Sequence, residues 1–350
     1  MQVTAILRIL CTMLLAGAEL MFGARNAGAA DANQWPVPVT TQGEGAVYAT
    51  RFIEQISGGA WVLKPLDSGE VAGAAITDAV RSGRFNAGFA WLSADATKIP
   101  AADLIASRPF GMEPWEFVGW WFEGGGAALA QELYSTHGVR PLLCGMAGPE
   151  AGGWFRKEIQ SVEDFRGLKM RFGRGLPQRI LERLGAVAVQ LSLEEIVPAF
   201  ESGRIEAAEF SFPARDARVL RASKLIKNYY FPGWHQSHAA THLVVNTQVW
   251  SQLSEGQRAT LESACAASTL RTMARHESVQ GEALARFKAD GVALRRFPES
   301  VLRALQRVTD EVMGEQAVTD PMFRRILESQ RAFRAVNADW RRLGYFPRDF

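Results

Sequence analysis

Gly167-Leu168-Lys169-Met170-Arg171-Phe172 begins a segment of this chain that runs to Gly203-Arg204-Ile205-Glu206-Ala207-Ala208-Glu209. Three apolar runs, 168–172, 187–191 and 205–209, are separated by two stretches of helical periodicity, 177–184 and 193–200. Pro177 stands in the first turn of the first helix and Gly185 just past its end, the asymmetry that helix termini favour. Pro198 lies inside the second helix, so that helix is expected to be short or bent, because proline removes a backbone donor. The pattern is βαβαβ, which implies parallel strands. Arg171 and Glu209 fall at strand ends, on the sheet edge where open α/β folds bind ligands. A carboxylate after Ala207-Ala208 is unusual for a buried strand, since unpaired buried carboxylates are rare.

Upstream, the same alternation recurs. A strand at 35–40 precedes a helix at 43–56, with Tyr48, Phe52, Ile53 and Ile56 at helical spacing and Gly58-Gly59 as the stop. A strand at 61–66, a helix at 71–80 and a strand at 85–91 complete a second βαβαβ unit. Helices at 114–121 and 128–137 lead to a strand at 139–145. Downstream, 242–246 reads as a strand crossing back to the first half. Ser254 and Gln257 form a capping box ahead of a helix reaching about Lys288, and a strand at 292–297 and helices at 299–313 and 321–340 follow. The expected fold is α/β and two-lobed, each lobe a sheet flanked by helices, with crossing strands and a long connecting helix. Residues 31–150 should form mainly the first lobe and 151–240 mainly the second. Residues 241–350 should supply the crossing strand, the long helix and C-terminal helices that pack on both lobes.

The first thirty residues read as a secretory signal. One positive charge, an apolar core at 9–17 and Ala27-Gly28-Ala29-Ala30 before Asp31 give the expected layout, with cleavage near Ala30 and delivery to the periplasm. The apolar core is too short for a membrane span. The full chain has 350 residues, 47% of them hydrophobic and 22% charged, as in soluble globular proteins. A formal charge of +2 offers no case for nucleic acid, which needs a concentrated basic face. Cys11 leaves with the signal, and Cys144 and Cys265 are expected to be two buried free thiols, Cys265 lying in an Ala-rich helical pattern. His235, His238 and His242 have a spacing that resembles a helical metal-ligand set. Pro232-Gly233 and the strand pattern argue against a helix there, so a histidine metal cluster is not expected. Neither a Gly-x-Ser-x-Gly nor a His-Glu-x-x-His motif occurs, and no phosphate-cradling loop.

Four motifs go further: Gly152-Gly153-Trp154-Phe155, Asp164-Phe165-Arg166-Gly167-Leu168-Lys169-Met170-Arg171, Arg183-Leu184-Gly185-Ala186-Val187 and Phe231-Pro232-Gly233-Trp234-His235. They resemble the DctP-type solute-binding subunits of tripartite ATP-independent periplasmic (TRAP) transporters, and most of all the branch that binds 2-oxo acids. The similarity covers about residues 35–333. It implies a receptor without enzymatic activity that captures a small 2-oxo or 2-hydroxy monocarboxylate and hands it to TRAP membrane subunits. Arg171 would pair with the ligand carboxylate, to which a planar guanidinium is matched. Glu150, Glu209, Phe210 and Gln236 would form a site for Na⁺ or Ca²⁺, with Glu150 and Glu209 also facing the ligand. Trp91 and Trp234 are proposed walls.

Several departures from the branch stand at these positions. Glu150 replaces a usual glutamine and Gln236 a usual glutamate, an exchange that keeps the number of side-chain oxygens and the total charge. Phe210 replaces a tryptophan, and Ala90 in Phe89-Ala90-Trp91 removes a tyrosine hydroxyl. Some relatives dimerise through C-terminal helices, whereas residues 340–350 suggest no further long helix, so a monomer is at least as expected as a dimer. Two other readings fit the same residues: a secreted metal-dependent enzyme acting on small carboxylic acids, and a ligand-sensing binding protein.

Overall fold

A computed structural model describes residues 33–40, 43–66, 70–219 and 227–346. The secretory segment at 1–30 lies outside the described residues.

Strand β1 (Gln34–Val37) pairs in parallel with β2 (Val62–Pro65) across helix α1 (Glu44–Ile56), which buries Gly45, Ala46, Ala49 and Ile53 on one face. Helix α2 (Ile76–Arg81) returns the chain to β3 (Ala87–Trp91), linked to the β1 line by a parallel bridge between Val39 and Phe89. Helices α3 (Ala102–Ala106), α4 (Pro114–Glu123) and α5 (Gly126–Ser135) lead to β4 (Val139–Ala147). Pro114 opens α4, where its missing N–H is not needed.

The chain then crosses. Strands β5 (Gly153–Phe155) and β6 (Lys169–Arg171), helix α6 (Leu176–Arg183), strand β7 (Val187–Val189), helix α7 (Ile196–Glu201) and strand β8 (Ala207–Ala208) follow in order. The βαβαβ pattern of 167–209 is realised, with β6 parallel to both β7 and β8. Helix α7 is one and a half turns long and starts later than its apolar pattern. Pro198 is its third residue, a position whose N–H has no intrahelical acceptor.

Helix α8 (Pro213–Val219) and strand β9 (Asn228–Phe231) precede a second crossing into β10 (Ala239–Asn246). All eight residues of β10 are buried, because it lies between β3 and β4 and is antiparallel to both. The first sheet is therefore mixed, not purely parallel as its βαβαβ pattern implies. A strand from a distant part of the chain has inserted.

After α9 (Thr247–Gln252), helix α10 runs from Glu255 to Ala289, capped by Ser254 and Gln257 as the sequence indicates. At 1.5 Å per residue it spans about 50 Å, enough to touch both sheets. Its first half packs on β4 and α1, where the Ser268 hydroxyl donates to the carbonyls of Gly45 and Cys144, both at 2.8 Å. Its last turns bring Phe287 against Trp154 and Tyr229, and strand β11 (Ala293–Arg296) then joins the second sheet beside β9. That sheet has the order β11-β9-β5-β8-β6-β7. Helices α11 (Glu299–Thr319), α12 (Pro321–Val336) and α13 (Ala338–Leu343) complete the described chain, the last being a separate short helix after a break at Asn337.

A second expectation is overturned. Cys144 of β4 and Cys265 of α10 are joined by a disulfide. Small residues at Gly45, Ala264 and Ser268 let the helix approach the sheet closely, and both cysteines are buried in that seam. Among the described residues, no helix is long and apolar enough to cross a membrane.

Candidate functional site

Four chain segments converge at one edge of the second sheet. Arg171 ends β6, Glu209 follows β8, Glu150 precedes β5, and residues 233–236 follow β9. Because β5 runs antiparallel to both β8 and β9, its start lies beside their ends. β6 runs parallel to β8, so Arg171 pairs with Ala208, one residue from Glu209. Residues from different segments, as far apart as Glu150 and His235, thus meet because of strand direction.

Main-chain bonds fix this corner. Glu209 N donates to Arg171 O at 3.0 Å, Gly233 N to Glu150 O at 2.9 Å, and Glu150 N to Gln236 O at 3.2 Å. Gly233 has no room for a side chain: a Cβ there would lie 2.4 Å from the Glu150 carbonyl oxygen.

Arg171 donates from Nη1 to the main-chain carbonyl of Glu209 and stands 3.6 Å from Glu209 Oε2. Its guanidinium lies 5.5 Å from the centre of the Phe210 ring, and that of Arg215 lies 5.2 Å from the same ring. The Glu209 carboxylate faces Glu150 and His235. His235 Nε2 is 3.1 Å from Glu150 Oε2 and 3.3 Å from Glu209 Oε1, and one ligand atom from each of the three residues falls within 4.8 Å of the others. All three are almost fully buried, with 3–4% of their surface exposed. Ser211 Oγ donates to Glu150 Oε1 at 3.2 Å, holding that carboxylate so that Oε2 faces the imidazole.

Burial pushes Glu150 up from the ordinary carboxylate range, partly offset by its bond to His235. Burial acts the same way on Glu209, but His235 and Arg171 outweigh it and hold the group ionised. Burial alone would push the His235 imidazole down. The two carboxylates reverse this and raise it to about 9. Beneath the cluster, Asp216 accepts from Trp154 Nε1 at 2.9 Å and Tyr229 Oη at 2.8 Å, and burial raises it to about 7.

The residues singled out from the sequence are placed unequally. Arg171, Glu209, Phe210 and Glu150 come together. Gln236 is adjacent through its main chain, but its Oε1 accepts from Ser107 Oγ at 3.2 Å and its Nε2 is buried without a partner. Trp234 is buried with its ring centre 5.8 Å from those of Phe172 and His235. Trp91 closes β3 on the other sheet, half-buried, with an Nε1 that is shielded from solvent and bonded to nothing in the protein. The three histidines do separate. His238 packs on Phe117 and pairs with Met112 O, and His242 packs on Trp121, both held neutral by burial. Only His235 joins the carboxylates, a role that sequence spacing missed. The available signal was its position between Trp234 and Gln236 in a turn facing Glu150.

A small cavity adjoins Glu150 and Ser211 between the sheets. Met146 and Thr241 wall it on the first-sheet side, and Thr272 and His276 of α10 close it. An arginine and a buried carboxylate pair beside a cavity between two sheets joined by crossing strands are the architecture of a two-lobed solute-binding protein.

The model of the bacterial extracellular solute-binding protein family 7, or DctP, matches residues 32–320, and the chain belongs to this family. Its members are receptors and not enzymes, and the family is periplasmic. The chain is 31% identical over 310 residues to a monocarboxylate 2-oxoacid-binding periplasmic protein of Nostoc sp., covering 88% of this chain and 84% of that one. A TRAP transporter solute-binding protein from Bordetella bronchiseptica, solved with copurified calcium and picolinate, superposes with a TM-score of 0.81 at 29% identity, covering 89% of this chain and 94% of that one. A second, from Pseudoalteromonas atlantica with bound sodium and pyruvate, gives 0.78 at 26% identity, covering 90% and 99%.

Proposed function

We propose that this chain is the extracytoplasmic receptor of a TRAP transporter, capturing a small 2-oxo or 2-hydroxy monocarboxylate together with a cation. The observation that carries this reading is the Arg171 guanidinium, anchored on the Glu209 carbonyl at the rim of a buried carboxylate cluster. One nitrogen of the guanidinium is held by the protein, and the others would meet an incoming carboxylate. Such charge-assisted pairs are the strong hydrogen bonds of protein sites.

The donor set fits a cation. Glu150 and Glu209 place two carboxylates together in a buried corner, where mutual repulsion and desolvation both call for positive charge. Na⁺ or Ca²⁺, the ions held by the similar structures, accept such oxygens, with the Phe210 main chain and Gln236 as further donors on the resemblance to the branch. Trp91 and Trp234 serve as walls, Trp91 with an indole N–H available to a ligand oxygen.

Residues 31–150 and 151–240 would act as the two lobes, with residues 241–350 joining them, and closure about the connecting segments would trap the ligand. Cleavage of the signal near Ala30 would release the mature receptor.

A thermal-shift series with pyruvate, longer 2-oxo acids, lactate and dicarboxylates, each with and without Na⁺ and Ca²⁺, tests the reading. A ligand at 100 times its Kd stabilises by about 2.7 kcal/mol. A cation-dependent shift for the monocarboxylates is expected. No shift with any acid, or depletion of the acid on incubation, would overturn it.

A further inference from the structure

We propose that the small cavity beside Glu150 is a subsite for the third carbon of the ligand. It selects 2-oxo or 2-hydroxy monocarboxylates that carry a hydroxyl on that carbon over those that end in a plain methyl or ethyl group. This rests on the reading that the chain captures such an acid at Arg171.

Position supports this first. The cavity shares Glu150 and Ser211 with the carboxylate cluster. Arg215, another of its walls, lies 5.2 Å from the centre of the Phe210 ring, and Arg171 lies 5.5 Å from the same ring centre. Thr241 stands opposite Trp91 in the antiparallel ladder of β3 and β10, so its side chain shares the sheet face that carries the Trp91 wall. An acid held at Arg171 against the cluster therefore has this space beside its remaining substituent. The cavity is small, about 20 Å³, with room for roughly one or two groups the size of water. That volume fits a hydroxymethyl or an ethyl tail and excludes a long or branched one.

The lining discriminates between those two tails. The Thr272 hydroxyl is already engaged, accepting from Met146 N at 2.9 Å and donating within its own helix. Glu44 is paired with His276 Nε2 at 3.2 Å. That pairing leaves His276 Nδ1, which is shielded from solvent and bonded to nothing in the protein, on a side chain that is almost fully buried. Thr241 adds a hydroxyl to the same cavity. A ligand hydroxyl can donate or accept, so it matches Nδ1 whether or not that nitrogen carries a hydrogen, and it matches Thr241 as well. A methyl group in the same space leaves buried polar atoms unmatched, which is costly.

Isothermal titration of the purified chain, with Na⁺ and Ca²⁺ present, compares 3-hydroxypyruvate with 2-oxobutyrate, which has the same number of non-hydrogen atoms, and glycerate with 2-hydroxybutyrate. A preference of at least about tenfold for the hydroxylated member of each pair is expected. Thr241→Val should reduce that preference to about threefold or less. If the variant does not fold, ¹⁵N-histidine NMR of the native chain decides: the His276 Nδ1 signal should move further with 3-hydroxypyruvate than with 2-oxobutyrate. Equal or tighter binding of the ethyl acids, an unchanged preference in folded Thr241→Val, or the same His276 shift with both acids would overturn the inference and leave the receptor reading standing. Failure of all four acids to bind, and of pyruvate and lactate with them, would remove the receptor reading as well.

Discussion

Arg171 and Glu209 close adjacent parallel strands, and each fixes the other. Glu209 N donates to the Arg171 carbonyl at 3.0 Å, while the Arg171 side chain returns to the Glu209 carbonyl and stands 3.6 Å from its carboxylate. The guanidinium is thereby held by main chain as well as by charge, before any ligand arrives. Pre-ordering of this kind reduces the entropy that binding must overcome.

Arg171→Ala should abolish the stabilisation by 2-oxo acids seen in the native chain, because truncating one partner of a buried charge pair costs about 2–5 kcal/mol. Arg171→Lys keeps the charge but loses the fork, and affinity should fall at least roughly tenfold. Isothermal titration with pyruvate checks both. Unchanged affinity in Arg171→Ala would remove the arginine from the site.

Gly233→Ala tests the corner that presents Glu150. The added methyl group meets the Glu150 carbonyl at 2.4 Å, and main chain must move to admit it. A loss of about 1–3 kcal/mol in urea unfolding is expected, together with weaker cation binding, as overpacking of a close contact implies. Unaltered cation affinity in a folded variant would show that the corner adapts without displacing Glu150.

Acid should destabilise the protein through its buried neutral histidines. Burial depresses His242 to about 3, so the unfolded chain, with an ordinary value near 6.5, binds the proton more readily. That contribution is fully present above about pH 6.5 and is lost as pH falls toward 3, with a slope on the order of 1 kcal/mol per pH unit. Urea midpoints at pH 7.5, 6 and 5 should fall more steeply for the native chain than for His242→Leu. Parallel curves would show that His242 is not the group responsible.

The bridge between Cys144 and Cys265 closes a long loop, with 121 positions between its ends. Reduction, or the pair Cys144→Ala and Cys265→Ala, should lower unfolding stability by about 2–5 kcal/mol, chiefly by freeing the unfolded chain. Differential scanning calorimetry with and without reductant measures it. An unchanged Tm would mean that the β4–α10 seam holds without the bond.

Much of the second lobe was legible because its information is local. Periodicity, Pro177, Gly185 and Pro198 mark the elements of 167–209, and parallel pairing follows from βαβαβ order. The first sheet was less legible, since β10 enters it between strands far upstream in the chain and periodicity carries no record of which strands become neighbours. Arg171 and Glu209 could be named from their places at strand ends. His235 could not, because its partners Glu150 and Glu209 lie 85 and 26 positions upstream, and a turn after a strand has no spacing rule that reveals them. The cysteines failed for the same reason: an Ala-rich helical context says that Cys265 is buried, but not that Cys144 faces it.

By itself, then, the sequence determined the βαβαβ order of the two halves, the two-lobed class and the family through its motifs, all consequences of short-range pattern. Tertiary structure alone decided that Gln236 turns to Ser107, that His235 stands between two carboxylates and that the two cysteines join. His235 is placed by antiparallel strands that lay the start of one segment beside the end of another, and the cysteines by helix α10 packing on β4. That juxtaposition is set by packing over the whole chain and leaves no mark on local composition.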